Sequence, residues 1–193
     1  MGMKTIGTLK RQTIISIDPS TRSLAYAIMY TDDEVVKIGH IDLTGTSDFK
    51  EKLRIIGCTL PGLIELYKPD VAVIEEAVFI QNFKTSKLIS YVIGHTMGIL
   101  AVSCPFVIEA NPLVWKSKIG YKKVTKAEKE FQESQWGATE AKKWAAKQRK
   151  SRVRELMKEK YGKEFEDSLY DSDEIDALAI GVWYNLTRDD IWH

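Results

Sequence analysis

Four acidic residues occupy positions where rigid backbone could hold them together. Asp18 ends one hydrophobic strand pattern and Glu75 ends a second. Asp173 and Asp176 lie three residues apart at the start of an apolar helical pattern, so their side chains share one helix face. Carboxylate oxygens brought together in this way bind hard divalent cations. The pattern therefore predicts a metal-centred site of the kind that nucleases use.

Each of these carboxylates also has a simpler explanation. Asp173 and Asp176 at a helix N-terminus would stabilise the helix dipole by about 0.3–1 kcal/mol without any metal. Asp18 precedes Pro19 and could merely open a turn. Glu75 is harder to explain in this way, because a carboxylate between two apolar segments is costly to bury unless it is paired or bound to a metal. The adjacent Glu76 should point to the opposite face of the strand, so we leave it out of the site.

The chain has 193 residues, of which 44% are hydrophobic, and this is enough for one sizeable core. We predict a single domain over residues 1–193. No apolar run reaches the roughly 18 residues of a membrane span, and the first residues lack a signal-peptide core, so a cytoplasmic protein is expected. Cys58 and Cys104 have no cysteine or histidine at ligand spacing. We therefore expect buried, reduced thiols rather than a disulfide or a zinc site.

The formal net charge of +1 conceals a strong asymmetry. Residues 116–163 contain sixteen lysine and arginine residues and six glutamates, whereas the rest of the chain contains twelve basic and twenty-one acidic residues. A basic surface beside an acidic, cation-binding centre is the division expected of an enzyme that holds a polyanion such as nucleic acid. A solvated lysine-rich helix without a ligand would have the same composition.

Hydrophobic periodicity predicts an α/β domain with five strands. They are residues 12–18, 23–30 and 34–42, the run that ends at Glu75, and residues 106–109. Tight turns join the first three strands into an antiparallel meander. Helices are predicted at 47–67 with Ser47 or Asp48 as cap, at 83–102, and from Pro112 to about residue 118. Since a right-handed crossover makes the last two strands parallel neighbours, the sheet should be mixed and flanked by helices.

Residues 122–149 differ in character from the rest of the chain, because they are rich in Lys, Glu, Gln and Ala. We predict that they form a basic helical arm inserted within the domain. Trp136 and Trp144 share a helix face if the helix does not break at Gly137. Packing of these tryptophans on the body or on a partner explains them more simply than stacking on bases.

Three segments resemble, in order and spacing, the acidic motifs of the RuvC family of Holliday-junction resolvases. They are Ile17–Arg22 (IDPSTR), Ile74–Phe79 (IEEAVF) and Asp173–Ile180 (DEIDALAI). The third motif is fairly specific and the first moderately so, whereas a strand-terminal glutamate alone is a weak signal. The likeness covers most of residues 12–185. It implies a ribonuclease H-like fold.

The resemblance implies a catalytic tetrad of Asp18, Glu75, Asp173 and Asp176 that binds two Mg²⁺ ions, for which Mn²⁺ would substitute. Two such cations, about 3.5–4 Å apart, make hydroxide from water and stabilise the departing 3′ oxygen in phosphodiester hydrolysis. Asp18 would bridge the ions because its strand is central in this fold, with Glu75 on one cation and Asp173 and Asp176 on the other. Without metal, the carboxylates would repel one another and some of their pKa values would rise. Mg²⁺ binding should therefore depend on pH and stabilise the fold.

The resemblance also implies partners. The family acts as a homodimer that makes paired nicks in opposed strands of a four-way DNA junction. The helix at 83–102 could supply the dimer surface, although its apolar stripe equally suits a core helix.

Basic and aromatic residues extend the match. Lys116 resembles a DNA-contacting lysine of the family, and Lys150 begins a segment that resembles a second basic element. Between these two the family usually has a short connection, where this chain has the arm. Phe79 matches the aromatic residue that wedges against junction bases, although the extra residue after Glu75 leaves Val78 as an alternative. The predicted DNA-contacting residues are Arg22, Phe79, Lys84, Lys87, Lys116, Lys118, Lys122, Lys123, Lys150 and Arg152.

Three other interpretations remain open. A nuclease of the same fold could act on other branched DNA or on structured RNA, because metal-assisted cleavage does not itself choose between them. A sugar kinase or ATPase of the actin-like type is less suitable, since such proteins need two domains and glycines near the phosphates. A non-catalytic protein could hold junctions architecturally, but the presence of all four acidic residues argues against it.

Overall fold

The computed structural model describes residues 11–76, 83–162 and 165–191, except for the side chain of Lys84. Its strands are β1 (Thr13–Pro19), β2 (Ser23–Tyr30), β3 (Val35–Asp42), β4 (Val71–Glu75) and β5 (Phe106–Ala110). They form one sheet in the order β3-β2-β1-β4-β5. The pairs β1–β2 and β2–β3 are antiparallel, whereas β1–β4 and β4–β5 are parallel. The predicted five-stranded mixed sheet is confirmed, with β1 at its centre.

The helices are α1 (Phe49–Tyr67), α2 (Phe83–Ser103), α3 (Pro112–Lys118), α4 (Lys126–Tyr161) and α5 (Ser172–Ile191). Of the two predicted caps, Ser47 and Asp48, it is Asp48 that caps α1, by accepting a hydrogen bond from the backbone N–H of Lys50. A short 3-10 turn at Asp167–Leu169 precedes α5. Among the described residues, none of the helices combines the length and apolar character needed to cross a bilayer.

Two apolar clusters cover the two faces of the sheet. Residues alternate along β1, so that Ile14 packs with α4 and α5 while Ile15 and Ile17 pack with α1 and α2. In β4, Val71 and Val73 contribute to the first cluster and Ala72 and Ile74 to the second. Both faces of these central strands are therefore buried, which explains their nearly continuous apolar sequences.

The apolar stripe of α2 belongs to the core of this chain. Val92, Ile93 and Leu100 are buried against α1 and the sheet. Of the two roles that the sequence left open for this stripe, a dimer surface or a core helix, these contacts match the core helix. Cys104 is also buried, whereas Cys58 is exposed, so the expectation of two buried thiols was wrong for Cys58. Both cysteines are free thiols, as expected.

The helix α4 includes most of residues 122–149 and continues to Tyr161. Thr125 caps it through a reciprocal capping box with Glu128. Gly137 interrupts it with φ 80° and ψ 163°, a backbone conformation that glycine adopts more readily than other residues. Trp136 precedes the interruption and remains 62% exposed, so it does not pack onto the body, and packing on a partner stays a prediction. Trp136 and Trp144 nevertheless line one surface groove.

The helix α5 lies closely across the centre of the sheet. The Ser16 hydroxyl of β1 donates a 2.7 Å hydrogen bond to the carbonyl oxygen of Ala177. One turn further along, a Cβ atom at Gly181 would lie 2.8 Å from the same hydroxyl and would clash with the Met29 sulfur. Because only a residue without a side chain fits there, Gly181 lets α5 approach β1 and β2. This approach carries Asp173 and Asp176 toward the end of β1.

Candidate active site

The end of β1, the end of β4 and the start of α5 meet at one edge of the sheet. Asp18 and Glu75 are at the carboxyl ends of adjacent parallel strands, which lie at the same sheet edge. The negative charges of Glu75, Asp176 and Asp173 all raise the pKa of Asp18, so the four carboxylates lie within electrostatic reach of one another. The structure therefore brings the predicted tetrad together.

Asp18 is recessed but keeps part of its surface accessible. Burial raises the pKa of its carboxyl well above the ordinary value, and the three neighbouring acids raise it further. The turn that follows is held by Ser20, whose hydroxyl accepts hydrogen bonds from the N–H groups of Arg22 and Ser23. Asp18 is thus not needed for the turn, and within the described residues its carboxylate accepts no hydrogen bond. The turn explanation of Asp18 fails.

Trp115 orients Glu75. Its indole Nε1–H donates a 2.9 Å hydrogen bond to Glu75 Oε2, and its side chain is fully buried. Burial raises the pKa of Glu75 although Lys116 and the Trp115 hydrogen bond both act to lower it. The bond holds one carboxylate oxygen and leaves the other for a ligand. The sequence patterns indicate no role for Trp115, because only the following residue, Lys116, resembles a functional residue of the family.

Asp176 has a strongly raised pKa, and in the described part of the chain little positive charge lies near its carboxylate. Burial, together with the negative charges of Glu75 and Asp173, raises its pKa to about 7 against the opposing effect of Lys116. The Nζ of Lys116 lies 3.9 Å from Asp176 Oδ2. One lysine at this distance is too weak to keep the carboxyl strongly acidic.

Asp173 is held by hydroxyl groups. Its Oδ2 accepts a 3.3 Å hydrogen bond from Ser23 at the start of β2, and its Oδ1 accepts one of 3.1 Å from Ser172. Lys150 in turn donates a 2.7 Å hydrogen bond to the Ser172 hydroxyl. Lys150 therefore lies at the site, and its charge also acts to lower the pKa of Asp176.

The start of α5 is capped by residues outside the tetrad. Asp171 Oδ1 accepts hydrogen bonds of 2.8 Å from the N–H groups of Asp173 and Glu174, and Glu174 Oε2 accepts one from the Asp171 N–H. This is a capping box. Because Asp171 and Glu174 satisfy the helix end, the tetrad aspartates are not required as caps.

A second group of potential metal ligands results from this cap. Glu174 Oε1 lies 2.9 Å from Nδ1 of His40, and this contact raises the pKa of His40. Among the described residues, His40, Asp171 and Glu174 are the trio whose donor atoms all lie within 4.8 Å of one another. Oδ1 of Asp171 and both carboxylate oxygens of Glu174 are already engaged by backbone N–H groups and by the imidazole. We therefore explain the trio by helix capping and an ion pair.

The structure separates the predicted DNA-contacting residues into groups. Lys116 and Lys150 are at the tetrad. Lys118 pairs with Asp190 near the far end of α5, about 20 Å along that helix from Asp176. Arg152 is engaged in folding contacts, since it donates to Glu128 and to the carbonyl oxygen of Lys122.

The remaining predicted contacts are less closely tied to the tetrad. Lys122 and Lys123 line a surface groove with Arg152. Arg22 is exposed in the turn after Asp18. Lys87 lies on α2 with its Nζ 5.7 Å from the centre of the Tyr91 ring. Phe79, Val78 and the side chain of Lys84 lie outside the described residues.

Comparison with known proteins agrees with the geometry of this candidate active site. The family model described as "Crossover junction endodeoxyribonuclease RuvC" matches residues 14–183. The chain belongs to the RuvC family. The RuvC of Dictyoglomus thermophilum is 29% identical over 126 residues, which are 61% of this chain and 77% of that protein. The RuvC of Caldicellulosiruptor saccharolyticus is also 29% identical over 126 residues, covering 60% of this chain and 72% of that protein.

The fold agrees with that of a solved RuvC. Thermus thermophilus RuvC, determined in complex with a Holliday junction substrate, superimposes with a TM-score of 0.65 at 13% identity, over 93% of this chain and 96% of that chain. The RuvC resemblance and the ribonuclease H-like fold are thus confirmed. As a member of the RuvC family, the chain is a crossover junction endodeoxyribonuclease, and nucleases of this family depend on a metal.

Proposed function

We propose that this RuvC-family protein hydrolyses phosphodiester bonds at four-way DNA junctions with Mg²⁺ held by Asp18, Glu75, Asp173 and Asp176. The observation that carries the proposal is the convergence of these four carboxylates at one sheet edge, three of them with raised pKa values. The same observation favours catalysis over an architectural role, because binding DNA alone would not require buried negative charge.

The donor set fits a hard divalent cation. It consists of carboxylate oxygens, and burial and the repulsion of neighbouring acids make the charged forms of Asp18 and Asp176 unfavourable until positive charge is added. When bound, the cations would activate water for attack on the phosphorus and stabilise the departing 3′ oxygen. Mn²⁺ should substitute, since it also prefers oxygen ligands.

Other residues of the chain prepare the site for the substrate. The Trp115 hydrogen bond fixes the orientation of Glu75. Ser23 and Ser172 fix Asp173 from two sides. Lys116 and Lys150 bring positive charge to the site, where they can hold the phosphate groups beside the scissile bond.

The proposal includes a homodimer and a cytoplasmic location. A four-way junction has two opposed strands to cut, and one chain carries one tetrad, so two copies would give paired nicks. The Thermus thermophilus relative was solved with a Holliday junction, which supports the choice of substrate. Light scattering of the purified protein tests the dimer directly.

Cleavage of a labelled, immobile four-way junction in Mg²⁺ tests the proposal, with a linear duplex and Asp18→Asn as controls. We expect symmetric nicks in the junction alone, abolished by the substitution. Tight binding without nicks would support the architectural alternative. Equal cutting of the duplex would keep the nuclease and remove the junction specificity, and cutting of structured RNA would support the ribonuclease alternative.

A further inference from the structure

A groove beside the tetrad is formed by the connection after α3 and the two halves of α4. The halves meet at Gly137, and Arg152 in the second half donates to Glu128 in the first. The groove has a volume of about 860 Å³. Its lining includes Lys116, whose Nζ lies 3.9 Å from Asp176 Oδ2, so the groove and the candidate active site share this lysine. We call it the arm groove.

The lining of the arm groove is strongly basic. Its charged residues are Lys116, Lys123, Lys129, Lys142, Arg149 and a single acid, Glu133. Apart from Lys116, these basic side chains are exposed, and within the described residues none of them pairs with a carboxylate. Because a row of unpaired cations at close spacing is unfavourable without counterions, the groove suits a polyanion.

The deeper lining is apolar. Tyr121, Val124 and Ala145 are partly buried and Ala141 is buried, whereas the lysines around them are exposed. A cationic margin over apolar and aromatic residues is typical of sites for single-stranded nucleic acid, where bases contact the floor and phosphates the margin. The volume is that of a pocket for small ligands, so it accepts a few nucleotides and excludes a duplex.

We propose that the arm groove binds unpaired nucleotides of the substrate strand next to the scissile phosphate. The phosphates contact Lys123, Lys142 and Arg149, and a base lies against Tyr121 and Ala145. The inference rests on the proposed function, since it takes the strand that enters the groove to be the strand cut at the tetrad. It gives residues 122–149 a role in selecting DNA that is unpaired beside the cut.

The α4 helix supplies a matched pair of variants. Lys142→Ala with Arg149→Ala removes two charges from the arm groove. Lys143→Ala with Lys147→Ala removes two charges from another face of the same helix, next to Trp144, and one of these, Lys143, pairs with Glu140. The probe is a labelled thymidine oligonucleotide of about 16 nucleotides, measured by fluorescence anisotropy without metal over a range of salt concentrations. A third variant, Ala145→Phe, keeps every charge and fills the apolar part of the arm groove with a larger side chain.

We expect the Lys142/Arg149 variant to reduce the slope of log affinity against log salt by about 1.4, because each phosphate contact to a single strand contributes about 0.7. The Lys143/Lys147 variant should keep the wild-type slope. Ala145→Phe should weaken binding at an unchanged slope. Equal losses in both double variants, or no loss in either, would overturn the proposal, as would conversion of a dimer to a monomer by the Lys142/Arg149 substitutions.

The test of the arm groove can be distinguished from the test of the proposed hydrolysis. Junction nicking by the wild-type protein without oligonucleotide binding would overturn the arm groove alone. Oligonucleotide binding with the expected variant pattern, but without nicking in Mg²⁺, would support the groove and reject the proposed hydrolysis.

Discussion

Replacing Asp176 with asparagine should stabilise the metal-free protein. The carboxyl is partly buried, with 26% of its side chain exposed, among other acids. Its pKa is raised from the ordinary value of 3.8 to about 7, a figure that already includes the attraction of Lys116. Asparagine has nearly the same shape and no charge to bury. The substitution therefore removes an unfavourable term from the folded state.

The size of the effect follows from proton linkage. Raising the pKa from 3.8 to about 7 corresponds to about 4 kcal/mol, and allowing for partial exposure gives about 2–4 kcal/mol. A carboxyl with a raised folded-state pKa costs nothing below the unfolded pKa, and its cost grows as the pH rises through the folded value. The gain from Asp176→Asn should thus be complete by about pH 8 and less than half as large at pH 5.

Urea unfolding in EDTA at pH 8 and pH 5 measures this gain directly. At pH 8 the melting temperature should also rise, by about 4–16 °C for a domain of this size. Asp189→Asn is the matched control, because Asp189 lies near the other end of α5 with its side chain 73% exposed. A variant no more stable than wild type at pH 8, or equally stabilised at both pH values, would refute the buried-charge reasoning.

Three further predictions follow from the site and its support. Trp115→Phe keeps an aromatic ring in the core but removes the hydrogen bond to Glu75, so kcat should fall about tenfold with little change in KM. Calorimetry should also show weaker Mn²⁺ binding, and an unchanged Mn²⁺ affinity would mean that Trp115 serves packing alone. Gly181→Ala should cost about 1–3 kcal/mol in urea unfolding through overpacking against Met29, whereas Gly98→Ala, with open space around it, should gain about 0.4–1 kcal/mol; equal effects would contradict the close approach of α5. The Mg²⁺ concentration for half-maximal cleavage should fall between pH 6 and pH 8 as the raised carboxyls ionise, and a constant value would count against these carboxyls as ligands.

The sequence predicted the sheet well because its signals are local. The central strands are continuous apolar runs ended by a charge or a turn, and the observed strand ends differ from the predicted ones by no more than one residue. The order of strands follows from turn lengths and crossover handedness, which are also local constraints. The tetrad could be predicted from the sequence for the same reason, since each of its residues marks the end or the start of a strand or helix.

Contacts between segments far apart in the chain could not be predicted from the sequence patterns. The bond from Trp115 to Glu75 joins side chains forty residues apart, and no periodicity reports it. The exposure of Trp136 depends on how the halves of α4 pack around Gly137, so of the two predicted packing surfaces the body was wrong and a partner stays a prediction. The Asp171–Glu174 capping box is different, because its D-x-x-E spacing was visible and would have accounted for the helix end before the structure was known.

The charge balance at the tetrad implies an order of binding. Among the residues that the structure describes, the cations at the four carboxylates are Lys116 and Lys150, so the metal-free site is negative and should repel a DNA phosphate. The basic residues of the arm should attract DNA, whereas bound cations would be needed to reverse the charge of the tetrad before the scissile phosphate could approach it. We therefore expect Ca²⁺ to tighten junction binding at low salt, and Asp176→Asn in EDTA to recover part of that gain. Binding that is equally tight in EDTA and Ca²⁺ would mean that the arm alone holds the junction, with the scissile phosphate away from the tetrad.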